Sequence, residues 1–512
     1  MKLGLCENCG RPTDARYEIR NNSVYLVKFC PDCGRTASLV SKDARKWRWK
    51  RDVTEYQEPC HSQCSMQCAS CDHKSVTVPN TVAIDVTNRC NQRCPICLAY
   101  VDAMGFDYHP PIEYFDKIFR HFRHQEPKPN ICFFGGEPTV HRNFIEVVRL
   151  ARSYGFQVQL FTNGIRLANE DYCRALCSLG VQVNFGFDGT RPEIYRTLRG
   201  DDSLDTKRKA LENVVKQGVN KLAIISTLAE GVNDGNLLEL MGFLHEYRQH
   251  VSVWAFVPLT PCWDSKQLNL QPTTTECVEH MFEDAVPGIE FVPTGMMKFQ
   301  VLSRFFGRQT VGGSHPNCES ATLLVSDGEA YHPISHFLNI PLSELLVRLR
   351  ELDSRLARES AELRGSGIRR RVFEALTFMR TVRVFAGAIS MGRVFSGSPI
   401  RNGLAALADL LRGKKIDQIL KERSAFKYML TLMTIPYEDL GGLDDARLKD
   451  CPAVFAYEDV ATGAIRTTAF CSWQTVKDDV CRKIQAHYAS RSAKTKTIGP
   501  DRKREVRVRS QG

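Results

Sequence analysis

From about residue 80 to residue 300, short apolar runs alternate with amphipathic stretches, and this alternation narrows the possible folds more than any other feature. The runs fall at 82–87, 130–134, 157–161, 181–187, 221–227 and 251–257. Between the first two, PIEYFDKIFRHFRHQ puts Ile112, Phe115, Ile118, Phe119 and Phe122 on one helical face. Strands joined by helical crossovers run parallel, so the fold class expected is α/β, a partial (β/α)6 barrel over 79–300. In such folds the chemistry sits on the loops that follow the strands.

The loop after the first strand is rich in cysteine. TNRCNQRCPIC holds Cys90, Cys94 and Cys97 in C-x3-C-x2-C spacing. Three thiolates can hold three irons of a 4Fe–4S cube and leave the fourth iron open. An open metal position can bind a small molecule through amino and carboxylate groups. After the second strand comes GGEPT, with Gly135, Gly136 and Glu137. Two glycines permit close backbone approach to a ligand, and a carboxylate accepts hydrogen bonds from an ammonium group.

The chain has 20 cysteines. No apolar leader follows Met1 and no apolar run is long enough to span a bilayer, so a cytoplasmic protein is expected. In a reducing compartment, clustered cysteines read as metal ligands rather than disulfides. Cys6, Cys9, Cys30 and Cys33 form two C-x2-C knuckles around a hairpin turning at Asn21-Asn22. This rubredoxin-like or zinc-ribbon-like arrangement suits one tetrahedral ion, zinc or iron, in a domain over 1–50. Cys60, Cys64, Cys68 and Cys71 crowd into twelve residues, which suits an auxiliary iron–sulfur cluster in a segment over 51–78, with a second zinc as the alternative.

After residue 300 the pattern changes to a mixed α+β domain over 301–490. Cys318 lies in a loop before a strand–turn–strand at Asp327-Gly328, and Cys451 and Cys471 flank a hairpin. These three are candidates for a second auxiliary cluster, with ordinary buried thiols as the alternative. Cys132, Cys173, Cys177, Cys262 and Cys277 are read as ordinary thiols. From 341 to 427, leucines at helical spacing (Leu345, Leu349, Leu352, Leu356) alternate with arginines, and a second stretch mixes arginines with Phe373, Leu376, Met379 and Val382. Arginine-rich amphipathic helices suit peripheral contact with the inner membrane face or form an ordinary helical subdomain. The net charge of +11 does not choose among nucleic acid, membrane and anionic substrate. Residues 491–512 read as a disordered basic tail.

The cysteine triad, GGEPT, and the later LFTNG and VNFGFDG stretches resemble the radical SAM superfamily. That resemblance implies a SAM-binding 4Fe–4S cluster on Cys90, Cys94 and Cys97, the methionine amine on Glu137 and its backbone neighbours, and Asn163, Asp188 and Thr227 near the SAM or substrate site. It implies two or three 4Fe–4S clusters in all, S-adenosyl-L-methionine (SAM), and an electron donor such as ferredoxin or flavodoxin. The dense C-terminal cysteine array of peptide-maturing branches is missing, and residues 1–75 are too short and cysteine-rich for a cobalamin domain. A metal-binding nucleic-acid protein is disfavoured by GGEPT and the strand pattern. The order of the ribbon, the four-cysteine group, the triad, HPNC (His315–Cys318) and AFCSW around Cys471 resembles the tetraether-lipid synthases. This implies C–C coupling of two lipid tails, on a substrate with an anionic headgroup; the alternative is a radical SAM methylase of a pterin or other small molecule.

Overall fold

The computed structural model describes residues 2–56, 78–99, 104–219, 222–260, 270–303, 315–362, 367–395, 398–412, 414, 416–449 and 451–497. Cys60, Cys64, Cys68 and Cys71 lie outside the described residues.

The N-terminal strands β1 (Lys2–Leu5), β2 (Pro12–Arg20), β3 (Ser23–Cys30) and β4 (Gly34–Ser41) form one antiparallel sheet. The chain turns between β2 and β3 at Asn21 and Asn22, with φ of +47° and +62°. Asparagine tolerates the left-handed region that a two-residue hairpin turn requires. The helix Ala44–Val53 follows, capped by Asp43, whose carboxylate accepts from the amides of Arg45 and Lys46 at 2.9 and 3.2 Å. On that helix Lys50 is fully buried and donates to Glu276 at 3.1 Å and Glu279 at 2.7 Å. Both partners lie on the helix Thr275–Ala285. The ribbon also ties to the C-terminal region: buried Lys28 donates to the Gly441 carbonyl at 2.7 Å, and the Tyr17 hydroxyl donates to Asp444.

Six parallel strands follow in sequence order, β5 (Thr81–Asp85), β6 (Asn130–Phe134), β7 (Val158–Thr162), β8 (Gln182–Gly186), β9 (Leu222–Leu228) and β10 (Val251–Pro258). Crossover helices include Ile112–Phe122, Phe144–Ser153, Glu170–Cys177, Leu204–Lys216 and Leu237–Glu246. The first buries Phe115, Ile118, Phe119 and Phe122, the stripe expected from spacing. Val82, Ile131, Phe133, Leu160, Val183, Phe185, Ile224 and Trp254 join one buried core with these helices. Each large side chain so buried contributes about 1.5–3 kcal/mol.

The sheet does not close into a barrel; the C-terminal region extends it at both edges. β14 (Tyr428–Thr434) runs parallel beside β10, β12 (Ser320–Ser326) pairs antiparallel with β14, and the short β11 (Val292–Pro293) and β13 (Tyr331–Pro333) pair antiparallel with β12. At the other edge β15 (Ala453–Asp459) lies parallel to β5, with Val454 opposite Val82, and β16 (Ala464–Ala469) completes the expected hairpin. In the chain between β12 and β14 come the helices Leu342–Glu362, Ile368–Ala388, Pro399–Leu411 and Ile416–Arg423. In Leu342–Glu362 the residues Leu345, Leu349, Leu352 and Leu356 are buried, and Trp49 and Val53 pack against that cluster. The last helix, Lys477–Thr497, runs into the segment expected to be a disordered tail; beyond 497 the tail lies outside the described residues. No helix among the described residues is long and apolar enough to cross a membrane.

Candidate active site

One face of the parallel sheet is covered by a cavity of about 1030 Å³. Alternate residues of successive strands reach it: Cys132 and Phe134, Gln159 and Phe161, Asn184 and Gly186, Ile225 and Thr227, Ala255 and Val257. The period of two is the strand's own, so the residues between them point into the helix-covered core. Cys90, Cys94 and Cys97 line the same cavity from the loop after β5.

That loop is held by its neighbours. Thr87 Oγ1 donates to the Tyr108 carbonyl at 2.9 Å, and Asn88 Oδ1 accepts from the Tyr108 amide at 2.8 Å. Gln92 Nε2 donates to Ser203 at 3.1 Å and to Asp201 at 3.1 and 3.2 Å. The Gly135-Gly136 pair lines the cavity and also packs against the loop backbone. The Gly136 amide donates to the Thr87 carbonyl at 2.7 Å and the Glu137 amide to the Arg89 carbonyl at 2.8 Å. A Cβ on Gly135 would meet Thr87 O at 2.3 Å, and one on Gly136 would meet Arg89 O at 2.3 Å. Gly135 also has φ of +127°.

Glu137 is buried at the end of β6. Its Oε1 accepts from the Thr139 hydroxyl at 2.6 Å and the Thr162 hydroxyl at 2.8 Å, and its Oε2 accepts from the Asn163 amide at 2.8 Å. A carboxylate has about four acceptor positions, so Oε2 keeps capacity for one more donor from the cavity. Asn163 reaches the cluster loop, its Nδ2 donating to Asn91 Oδ1 at 2.8 Å and lying 3.8 Å from the Cys90 sulfur. Thr227 lines the cavity. Asp188 does not: it sits beneath the wall, taking two hydrogen bonds of 2.7 Å from Arg199 and one of 2.9 Å from the Thr227 amide. Burial opposes its ionisation, but the Arg199 guanidinium holds its carboxyl below the ordinary carboxylate range.

Sequence reading passed over two cations in this wall. Arg199 and Lys207 both line the cavity. Lys207 Nζ donates to the carbonyls of Asn163 at 2.6 Å and Gly186 at 2.8 Å. Burial, followed by the neighbouring Arg199 charge, brings Lys207 down to about 8. Burial also pushes the Cys90 thiol up to about 12. Two cations beside this loop favour thiolates over thiols when a metal displaces the protons. The polar Cys132, Gln159, Asn184 and Thr227 inside otherwise apolar strands were the available signal for the cavity.

The far wall comes from the C-terminal region. Cys318, Cys451 and Cys471, distant in sequence, line this one cavity. Arg447 Nε donates to the Cys318 sulfur at 3.4 Å, and its guanidinium pairs with Glu438 at 2.6 Å. Burial pushes Cys318 up to about 12 and raises Cys451 and Cys471. Between the two cysteine groups the wall is aromatic. Phe134 stacks on Phe161 at 4.1 Å, Phe455 stacks on Trp473 at 5.1 Å, and Phe470 meets Phe134 at 5.2 Å and Phe455 at 4.9 Å.

The donor sets differ in spread. A tetrahedral ion with metal–sulfur bonds near 2.3 Å needs sulfurs about 3.8 Å apart. The ribbon sulfurs of Cys6, Cys9, Cys30 and Cys33 all lie within 4.8 Å of one another, with Cys9 and Cys30 at 3.7 Å. Among the described residues no other cysteine group is so compact. Cys90, Cys94 and Cys97 are spread wider, as ligands of separate irons in a cube must be.

Residues 84–244 match the family described as the radical SAM superfamily, and residues 3–42 match the HMPTM N-terminal zinc ribbon domain. The chain is 31% identical over 360 residues to a 7,8-dihydro-6-hydroxymethylpterin dimethyltransferase of Methanocaldococcus jannaschii, covering 66% of this chain and 70% of that protein. The chain belongs to the radical SAM superfamily. A second relative, a probable GTP 3′,8-cyclase of Thermococcus kodakarensis, is 26% identical over 31% of this chain and 51% of its own length. Among solved structures, a radical SAM methyltransferase from Sphaerobacter thermophilus is similar at a TM-score of 0.31 and 15% identity, over 53% of this chain and 73% of that one.

The pterin-modifying relative overturns the expectation of lipid-tail coupling. The features behind that expectation, the order of the ribbon, the four-cysteine group, the triad and the later cysteines, leave the substrate unspecified. The cavity, about 1030 Å³, is at the upper end of ordinary small-molecule sites, about 300–1,000 Å³.

Proposed function

We propose that this radical SAM protein is a methyltransferase acting on a small, planar heteroaromatic compound of the pterin kind. The observation that carries the reading is the cavity itself, with a cysteine triad on one wall and Phe134, Phe161, Phe455, Phe470 and Trp473 on the surface between it and the Cys318 wall. Stacked aromatic side chains suit a flat ring, and the similarity to a pterin dimethyltransferase points the same way.

Cys90, Cys94 and Cys97 are the residues to hold a 4Fe–4S cluster, and their donor chemistry fits one. Glu137 Oε2 and the neighbouring backbone are placed to take the SAM ammonium, and Arg199 and Lys207 offer positive charge to its carboxylate. When bound, these groups supply a 5′-deoxyadenosyl radical for hydrogen-atom abstraction. The chain's own part is positional. Asp188 fixes the Arg199 fork, Asn163 links Glu137 to the cluster loop, and the aromatic surface excludes water and orients the ring. A one-electron donor of the ferredoxin or flavodoxin type completes the requirement. Cys318, Cys451 and Cys471 are proposed as ligands of an auxiliary cluster facing the same substrate.

The test is anaerobic incubation of the iron- and sulfide-loaded protein with SAM, a reductant, a methyl donor and 7,8-dihydro-6-hydroxymethylpterin, read by mass spectrometry. A pterin gaining one or two methylene units, together with 5′-deoxyadenosine, is expected. Formation of 5′-deoxyadenosine with every tested pterin left unchanged would overturn the substrate class.

A further inference from the structure

Among the described residues, most of the large apolar side chains left exposed sit in one short stretch. Of the eleven exposed large hydrophobics among the described residues, six (Val372, Leu376, Met379, Met391, Ile400 and Leu404) fall within 372–404. In the helix Ile368–Ala388, Phe373, Thr377 and Thr381 are buried at i, i+4 and i+8, the face turned to the protein. Val372, Leu376 and Met379 take the adjoining outward face at i, i+4 and i+7. Ile400 and Leu404 repeat the i, i+4 spacing on the helix Pro399–Leu411, exposed at 75% and 63%. An outward stripe of this kind is unusual on a soluble surface and marks contact with something apolar.

Its charge identifies what that something is. The helix Ile368–Ala388 carries Arg369, Arg370, Arg371, Arg380 and Arg383 against a single acid, Glu374. Arg370 pairs with Glu374 at 3.3 Å and Arg380 with Glu359 at 2.7 Å. Arg369, Arg371 and Arg383 are exposed and have no carboxylate partner among the described residues. At 100° per residue, Arg383 falls within the same angular sector as Val372, Leu376 and Met379, and Arg369 borders it. Guanidiniums interleaved with Leu, Met and Val on one helix face meet two demands together, anionic headgroups and the acyl boundary beneath them. Nucleic acid satisfies only the first.

We infer that the outward faces of the helices Ile368–Ala388 and Pro399–Leu411 form a docking surface for an anionic membrane. The surface is independent of the reading of the cavity and holds the protein at the bilayer.

The experiment is cosedimentation of the full, iron-loaded chain with phosphatidylcholine vesicles that contain or lack phosphatidylglycerol. A double variant, Met379→Asp with Leu404→Asp, is compared with wild type. Both positions are exposed, and unchanged iron content and 5′-deoxyadenosine formation verify the fold. Wild type is expected to bind the anionic vesicles at least tenfold more tightly than the neutral ones, and the variant to lose most of that binding. Two results overturn the proposal. One is equal binding by variant and wild type, which assigns the affinity to the basic tail. The other is absence of anionic-vesicle binding, with or without an oligomer that the variant dissolves, which assigns the stripe to a protein partner or a second copy.

Discussion

At the scale of single residues, the tightest constraint on the site is imposed by atoms that are missing. Gly135 and Gly136 stand where any Cβ would fall 2.3 Å from a carbonyl oxygen of the cysteine loop. Gly135→Ala must move that backbone or strain its own, at a cost of at least about 2–3 kcal/mol. The expected result is a chain with normal circular dichroism and clearly reduced iron and sulfide loading; loading equal to wild type would show that the loop does not depend on the contact. Cys90→Ala, Cys94→Ala and Cys97→Ala are each expected to abolish 5′-deoxyadenosine formation, measured by chromatography. These residues were legible beforehand because ligand spacing is a local property of sequence. Arg199 and Lys207 were not: their place in the wall depends on the two helices after β8 folding back over the sheet, and a lone basic residue on a helix carries no mark of the face it will occupy.

At the scale of elements, the buried group of Lys50, Glu276 and Glu279 joins the ribbon's helix to the helix Thr275–Ala285. Burial works against the charges of Lys50 and Glu279, and the attraction of their partners outweighs it: Lys50 is held above its ordinary range and Glu279 below. Lys50→Met takes the cation from buried Glu276, while Glu279 keeps Lys46 at 3.1 Å, so the change should cost about 3–5 kcal/mol at neutral pH, measured as a lower urea midpoint. The sign of the pH effect follows from the directions. Glu279 has its folded value depressed below 4.5, so its contribution is present above 4.5 and lost as pH falls through the folded value. Lys50 has its folded value raised above 10.5, so its contribution is present below 10.5 and lost as pH rises through the folded value. The gap between wild type and Lys50→Met should therefore narrow as the solution is acidified below 4.5; a gap that stays constant would show that the helices are held by packing alone. The six parallel strands and the Asn21-Asn22 hairpin were readable from periodicity and turn chemistry. The strand Tyr428–Thr434 was not, because its partner β10 lies far back in the chain and parallel pairing at a distance leaves no local pattern.

At the scale of the whole molecule, the C-terminal region is part of the central sheet rather than a neighbour beside it. It contributes the strands at both edges, the Phe455, Phe470 and Trp473 part of the aromatic surface and the second cysteine wall, so the cavity is a product of both halves of the chain. Ending the chain at residue 452 removes β15 and β16 and bares the β5 edge; the truncated protein is expected in the insoluble fraction, and a soluble, SAM-cleaving truncation would show that the six-strand unit stands alone. The pairing of β15 with β5 also sets an order of events in the living cell. The strand that leads into the cysteine triad emerges early from the ribosome, whereas its neighbour is among the last segments made. At about 5–20 residues per second the nascent chain carries that open edge for tens of seconds. During this interval three thiols that must meet iron are near an unpaired strand, which makes the protein's yield depend on chaperone protection and on iron–sulfur delivery after release.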